Sequence, residues 1–182
     1  MKNLYRILTF VACIGIFGQC ADDGEYDHPI NQDSIPEVPV LFTGATSFGG
    51  NPYYQIKFEG TGTAISINIA VPGDATVKIK EITKVVAGTT SITPGNVTTA
   101  SVANFLPAAV AVNGASTTIT TSVTALNAYI SGTANDATQA RVDAATTATP
   151  ATPYIEYAFL FLVTLEDNTT IITQQCRLRF VK

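Results

Sequence analysis

The chain has 182 residues, of which 46% are hydrophobic and 13% are charged, and its formal net charge at pH 7 is −4. This length suits one domain that buries a substantial core. The 10 Lys and Arg residues form no basic stripe, so the composition argues against a nucleic acid as partner.

The first 20 residues are organised like a secretory signal. Lys2 and Arg6 give a positively charged start, an apolar run follows from Ile7 to Phe17, and Gly18-Gln19-Cys20 ends it. The run is too short to span a membrane, which takes about 20 residues. We therefore expect residues 1–19 to be a signal peptide that is removed.

The segment around Cys20 resembles bacterial lipoprotein signals. The acidic residues just after it resemble the surface-export tag of Bacteroidetes-type lipoproteins; they are Asp22, Asp23, Glu25 and Asp27. This resemblance implies that Cys20 carries the lipid, that the lipid attaches the protein to the membrane, and that the protein resides at the outer membrane or cell surface. Three alternatives stay open: attachment at the periplasmic face, secretion after cleavage near Cys20, and a retained N-terminal anchor.

Residues 20–37 are predicted to form an acidic tether. The segment contains Pro29 and Pro36 and almost no apolar side chains, so burial cannot offset the entropy of ordering it. Asp33-Ser34-Ile35 resembles the three-residue O-glycosylation site of Bacteroidetes secreted proteins, which makes Ser34 a candidate for modification. The alternative is a plain solvated linker.

From residue 38 onward the pattern favours strands. In chain order they are Val38–Thr43, Tyr54–Glu59, Ile65–Val71, a strand beginning at Val77, and Ile119–Val123. Pro39 suits the first of these to a sheet edge. The strand that begins at Val77 changes parity before Ile82, which indicates a β-bulge near Lys80-Glu81. A helical turn over Thr124–Ile130 is expected before Gly132.

The last strands give the clearest pattern. Ile155–Leu165 is apolar on both faces, as in a strand that is central in its sheet or covered by a second layer. Glu166–Thr169 supplies a turn, and Ile171–Val181 is expected to return as the antiparallel partner. We predict that this hairpin lies at the centre of the core.

Together these signals predict an all-β fold over residues 38–182. About seven to eight strands with almost no amphipathic helix favour one immunoglobulin-like or fibronectin-III-like antiparallel β-sandwich. Between residues 132 and 153, 13 of 22 residues are Ala or Thr. Because no apolar period organises this stretch, we expect a mobile Ala/Thr-rich loop.

The sequence predicts no catalytic, metal or cofactor site. The only histidine, His28, lies in the predicted tether, and the acidic residues of the domain are scattered. If Cys13 leaves with the signal and Cys20 carries lipid, Cys176 is the single remaining thiol. It shares a face with Leu178 and Phe180, which favours a small buried residue over a nucleophile.

A binding role is the remaining hypothesis. Phe48, Tyr53 and Tyr54 surround the flexible Gly49–Pro52 turn, where exposed rings could contact a partner or stack on a sugar. The alternative is that Tyr54 faces the core and Phe48 covers one end of the domain. We expect a non-catalytic structural or protein-interaction module that contacts another surface protein; the second possibility is an accessory lipoprotein that binds a glycan or another nutrient.

Overall fold

The computed structural model describes residues 38–47, 50–130, 134–148 and 153–182. The strands of these residues are β1 Leu41–Phe42, β2 Tyr53–Lys57, β3 Ala64–Ala70, β4 Ile79–Gly88, β5 Val110–Gly114, β6 Ser116–Ser122, β7 Ile155–Leu165, β8 Thr170–Ile172 and β9 Cys176–Val181. The helices are α1 Pro94–Thr98, α2 Val123–Ile130 and α3 Gln139–Thr147. The described residues are thus mostly sheet, as predicted.

The strands form two sheets. The smaller one has the order β1-β3-β6, with antiparallel pairing throughout. The larger one has the order β2-β9-β7-β4-β5 and curls into a half-barrel, with β8 also paired to β7. Its strands are antiparallel except for β2, which runs parallel to β9. The predicted bulge is present as a shift of register between Ile79 and Glu81.

The core lies between the two sheets. Ile65, Ile67 and Ile69 alternate along β3 and are fully buried, as their spacing predicts. The ring of Phe42 on β1 lies 5.7 Å from that of Phe161 on β7, so aromatic packing joins the smaller sheet to the larger one.

The predicted antiparallel pairing after Ile155–Leu165 is confirmed, but the returning segment is split into β8 and β9 and is not one continuous strand. β7 is the central strand of the larger sheet. β7 pairs with β4 along one edge and with β8 and β9 along the other. Its inner face includes Phe161 in the core, while Leu160 on its outer face packs with Val86 and Val97. Val97 belongs to α1, so the connection between β4 and β5 covers part of the outer face of the larger sheet. This second layer explains why β7 is apolar on both faces.

The Ala/Thr-rich stretch 132–153 differs from the expected loop, because α3 forms within it. Thr138 caps the helix by accepting a hydrogen bond from the Arg141 backbone N–H, and Val142 is fully buried. The Arg141 side chain also donates to the backbone carbonyls of Asn135 and Asp136 and to the Tyr157 hydroxyl. Tertiary contacts, rather than an apolar period, thus hold this helix.

The other elements agree in part with the sequence. The helical turn expected at Thr124–Ile130 is confirmed as α2. Neither α1 nor β5 was predicted. No helix among the described residues is long and apolar enough to cross a bilayer.

Candidate functional site

Tyr53 and Tyr54 are consecutive residues of β2, so their side chains point to opposite faces of the sheet. The Tyr54 hydroxyl donates to the Thr43 carbonyl at 2.8 Å and accepts from the Asn68 backbone N–H at 3.2 Å. Burial raises the pKa of Tyr54. Tyr54 therefore ties β2 to β1 and β3 of the smaller sheet, and only Tyr53 of this pair faces outward.

On the outer face, Tyr53 belongs to a stack of three side chains. The guanidinium carbon of Arg179 lies 3.8 Å from the ring centroid of Tyr53 and 4.4 Å from that of Tyr154. We call Tyr53, Arg179 and Tyr154 the arginine stack. Cation–π attraction of this kind contributes about 0.5–1 kcal/mol at an exposed site. The stack thus orders a charged side chain at the protein surface.

Strand pairing explains why these residues meet. The parallel register places Gln55 of β2 beside Arg179 of β9 and Tyr53 beside Arg177. On the other side of β9, Arg179 is paired with Glu156 of β7, and Tyr154 comes just before that strand. Three strands therefore contribute to one polar outer face.

Glu156 fixes both arginines. It accepts hydrogen bonds from Arg179 Nε at 2.8 Å and from Arg177 Nη1 at 3.0 Å, and its side chain is only 14% exposed. Burial acts to lower the pKa of Arg179, but the hydrogen bond and charge of Glu156, together with Tyr154 and Tyr53, outweigh it and raise this pKa. Two guanidinium groups around one carboxylate leave a net positive charge on this face.

An open cleft lies beside the stack. It has a volume of about 480 Å³ and is lined by Gly50, Asn51, Tyr53, Arg177 and Arg179. In the described part of the chain, the two terminal amino groups of Arg179 donate to no other group. A guanidinium with free donors pairs well with a carboxylate or another group that offers two acceptor oxygens. The cleft can therefore receive an acidic group.

Sequence reasoning identified Tyr53 but missed Arg177, Arg179, Glu156 and Tyr154. One signal was available, because alternation along β9 sets Arg177 and Arg179 on the face opposite the buried residues of that strand. The contact between Tyr53 and Arg179 could not be found in this way, since it depends on the parallel pairing of β2 with β9.

Of the remaining predicted positions, Cys176 lies among the described residues and forms no second site there. Cys176 is fully buried, as predicted, and burial raises the pKa of its thiol to about 12. In the four described ranges, no three His, Cys, Asp or Glu side chains lie close enough to share a metal ion. Cys20, Ser34 and Phe48 lie outside the described residues.

The described geometry gives one candidate surface, formed by the arginine stack, Glu156, Arg177 and the cleft. The side chains of this surface hold one another in place. They present aromatic rings and hydrogen-bond donors, a combination that is typical of surfaces that bind other proteins. Comparison of the chain with protein-family models, with curated proteins and with solved structures gave no match.

Proposed function

We propose that this protein is a lipid-anchored cell-surface β-sandwich that acts as a non-catalytic protein-interaction module. The observation that carries the proposal is the arginine stack, in which two tyrosine rings hold Arg179 beside an open cleft. Tyr and Arg are enriched among the residues that dominate binding at protein interfaces. We propose the stack as the centre of the contact surface.

The fixed conformation of Arg179 in the arginine stack favours high affinity for a partner. Immobilising a long side chain on binding costs about 0.5–1.5 kcal/mol. Arg179 is already held by two rings and by Glu156, so much of this cost falls on folding rather than on binding. The net positive charge of the face favours a partner that presents a carboxylate to the cleft.

We also propose that the domain is immunoglobulin-like. Immunoglobulin domains place strands A, B, E and D in one sheet and C, F and G in the other, and variable-type domains add strands C′ and C″ beside C. If β1, β3 and β6 are taken as A, B and E, and β4, β5, β7 and β9 as C, C′, F and G, the order A-B-E of the smaller sheet and the order G-F-C-C′ within the larger sheet follow. This assignment gives β2 and β8 no equivalent. The described residues supply no strand at the position of D.

A glycan or another nutrient is the second candidate ligand. The observation that favours it is the lining of the cleft, which combines the Tyr53 ring with Asn51, Arg177 and Arg179. Small-molecule sites combine aromatic walls with a few placed polar groups in this manner. Because one side of the Tyr53 ring is already occupied by Arg179, a sugar would have to bind along the other side or displace the guanidinium.

The contact surface is tested with Arg179→Lys. Lysine keeps the charge but loses the planar group that stacks and pairs with two oxygens. We expect quantitative affinity purification from intact cells to show loss of the partners recovered with wild type, whereas the exposed control Lys80→Ala retains them. Equal recovery with all three proteins would contradict the proposal. Binding of wild type, but not Arg179→Lys, to a glycan array without any protein partner would favour the second candidate.

The anchor is tested separately with Cys20→Ala. The proposal that Cys20 carries lipid is supported by the charged start, the short apolar run and the acidic segment after Cys20. We expect the variant to move from the membrane to the soluble fraction and to lose the mobility of a lipidated protein. A variant that stays in the membrane fraction with unchanged mobility would contradict this assignment, whatever the result for Arg179.

A further inference from the structure

Within the described part of the chain, one edge of the smaller sheet is open along its whole length. β6 pairs with β3 over seven consecutive residues without a break in register. Among the described residues no strand pairs with the other side of β6. The edge therefore presents backbone groups that a further strand could bind.

The hydrogen bonds at both ends of β6 identify those groups. The Val71 N–H donates to the Ala115 carbonyl at 2.8 Å, and the Val123 N–H donates to the Thr63 carbonyl at 3.0 Å. Residues of odd number in this strand thus bond to β3. Since the two backbone groups of one residue point to the same side of an antiparallel strand, those of Thr118 and Thr120 point to the open edge.

The hydrogen bonds of β3 lead to the same conclusion about which residues of β6 point to the open edge. Asn68 is paired with Thr118, yet its carbonyl accepts from the Thr43 N–H at 3.1 Å on the side away from β6. Asn68 and Thr118 therefore form a non-hydrogen-bonded pair, and the backbone groups of Thr118 point outward. No described residue bonds to the backbone of Thr118 or Thr120 on that side.

The other sheet edges carry features that hinder pairing. β1 has only two residues and follows Pro39. β2 ends in Lys57, and β5 contains Asn113 at a φ of 52° beside a shift of register. Such features protect sheet edges against association. β6 has no proline, no charge and no bulge.

The sequence of β6 is a palindrome. It reads Ser-Thr-Thr-Ile-Thr-Thr-Ser and is identical in both directions about Ile119. When two such strands pair antiparallel about a two-fold axis at Ile119, Thr118 of one copy lies opposite Thr120 of the second, and serine lies opposite serine. Thr–Thr pairs across strands are favourable, and no like charges meet. A two-fold interface requires this kind of self-complementary surface.

We propose that β6 is a homodimer interface, in which two copies of this chain pair antiparallel and join their smaller sheets into one six-stranded sheet. The backbone groups of Thr118 and Thr120 that point outward then bond to those of Thr120 and Thr118 in the second copy. The arginine stack belongs to the larger sheet. A dimer thus carries two copies of the stack and can bind a repeated partner with avidity.

The oligomeric state tests the proposal directly. The full chain, purified in a mild detergent, is expected to contain two protein chains per particle by light scattering coupled to size exclusion. Thr118→Lys with Thr120→Lys adds charges along the open edge, and we expect one chain per particle with an unchanged circular dichroism spectrum. Leu41→Lys, at an exposed position on the opposite edge of the same sheet, is the matched control and is expected to remain dimeric. A monomeric wild type, or a double-lysine variant that stays dimeric, would overturn the proposal.

Cysteine cross-linking tests the register. A hydrogen-bonded antiparallel pair has its Cα atoms about 5.5 Å apart, within the range of a disulfide, whereas diagonal neighbours lie about 7–8 Å apart. Chains with Thr118→Cys and chains with Thr120→Cys, produced together with different tags, are expected to cross-link to each other. Each variant produced alone is expected to cross-link far less. Equal cross-linking in the three samples would rule out pairing centred on Ile119.

Discussion

The guanidinium of Arg179 lies over the ring of Tyr53, with its central carbon 3.8 Å from the ring centroid. The two residues come from β9 and β2, which are the parallel pair in the larger sheet. This pairing brings two residues that are distant in sequence together on one surface. Glu156 of β7 completes it by binding the same guanidinium at 2.8 Å.

Glu156→Gln is expected to destabilise the protein by about 1–3 kcal/mol, because a largely buried carboxylate that compensates two arginines is lost. The free energy of unfolding from denaturant titration measures the change. Glu59→Gln is the matched control, since Glu59 is exposed and lies 3.8 Å from the exposed Lys57. We expect that control to change stability by less than about 1 kcal/mol. Equal losses in the two variants would contradict the role given to Glu156.

Thr173 replaces a ladder hydrogen bond at the break between β8 and β9. Its hydroxyl accepts from the Phe161 N–H at 3.1 Å, and its own N–H donates to the Phe161 carbonyl at 3.0 Å. Thr173→Val keeps the shape but leaves a buried N–H without an acceptor, so we expect a loss of about 1–3 kcal/mol. Thr173→Ser keeps the hydroxyl and is expected to lose less. A valine variant as stable as wild type would contradict this contact.

The Cys176 thiol is expected to resist alkylation in the native protein at pH 8. Burial raises its pKa to about 12, so the native thiol stays neutral while an unfolded thiol ionises near pH 9. Since the native state holds this proton more tightly, stability is expected to fall as the pH rises from about 9 towards 12. Mass spectrometry after iodoacetamide treatment, with and without denaturant, measures the difference. Rapid labelling of the native protein would show that Cys176 is accessible.

Phe161→Ala is expected to cost about 3–5 kcal/mol, because the ring is fully buried and packs between the sheets against Phe42. Thermal and denaturant unfolding measure the loss. Leu41→Ala provides the control on β1, where the side chain is 45% exposed, and we expect a change of less than about 1 kcal/mol. A small effect at Phe161 would contradict the central position of β7.

The sequence predicted well those features that depend on one strand. Ile65, Ile67 and Ile69 alternate, so their burial follows from the period of the strand alone. The hairpin between residues 155 and 181 was equally clear, since two apolar runs flank a short polar turn. The bulge near Lys80 was also predictable, because the alternation of apolar residues along the strand shifts by one residue before Ile82.

Features that depend on contacts between distant elements could not be predicted. Helix α3 has no apolar period and is held mainly by buried Val142 and by the bonds of Arg141. The arginine stack requires three strands in a particular register, one of them parallel. An alternating strand such as β9 predicts that Arg179 faces outward, but it does not predict which ring lies beside it.

We propose that the outer face bearing the arginine stack contacts a protein partner. Gln55 is exposed on β2 and is paired with Arg179, so a photo-cross-linking amino acid at Gln55 samples this face directly. Ser66, exposed on β3 of the smaller sheet, is the control position. Irradiation of intact cells is predicted to give a discrete protein adduct from position 55, absent from position 66 and lost when Arg179→Lys is added. No adduct from position 55, or the same adduct from both positions, would contradict the account.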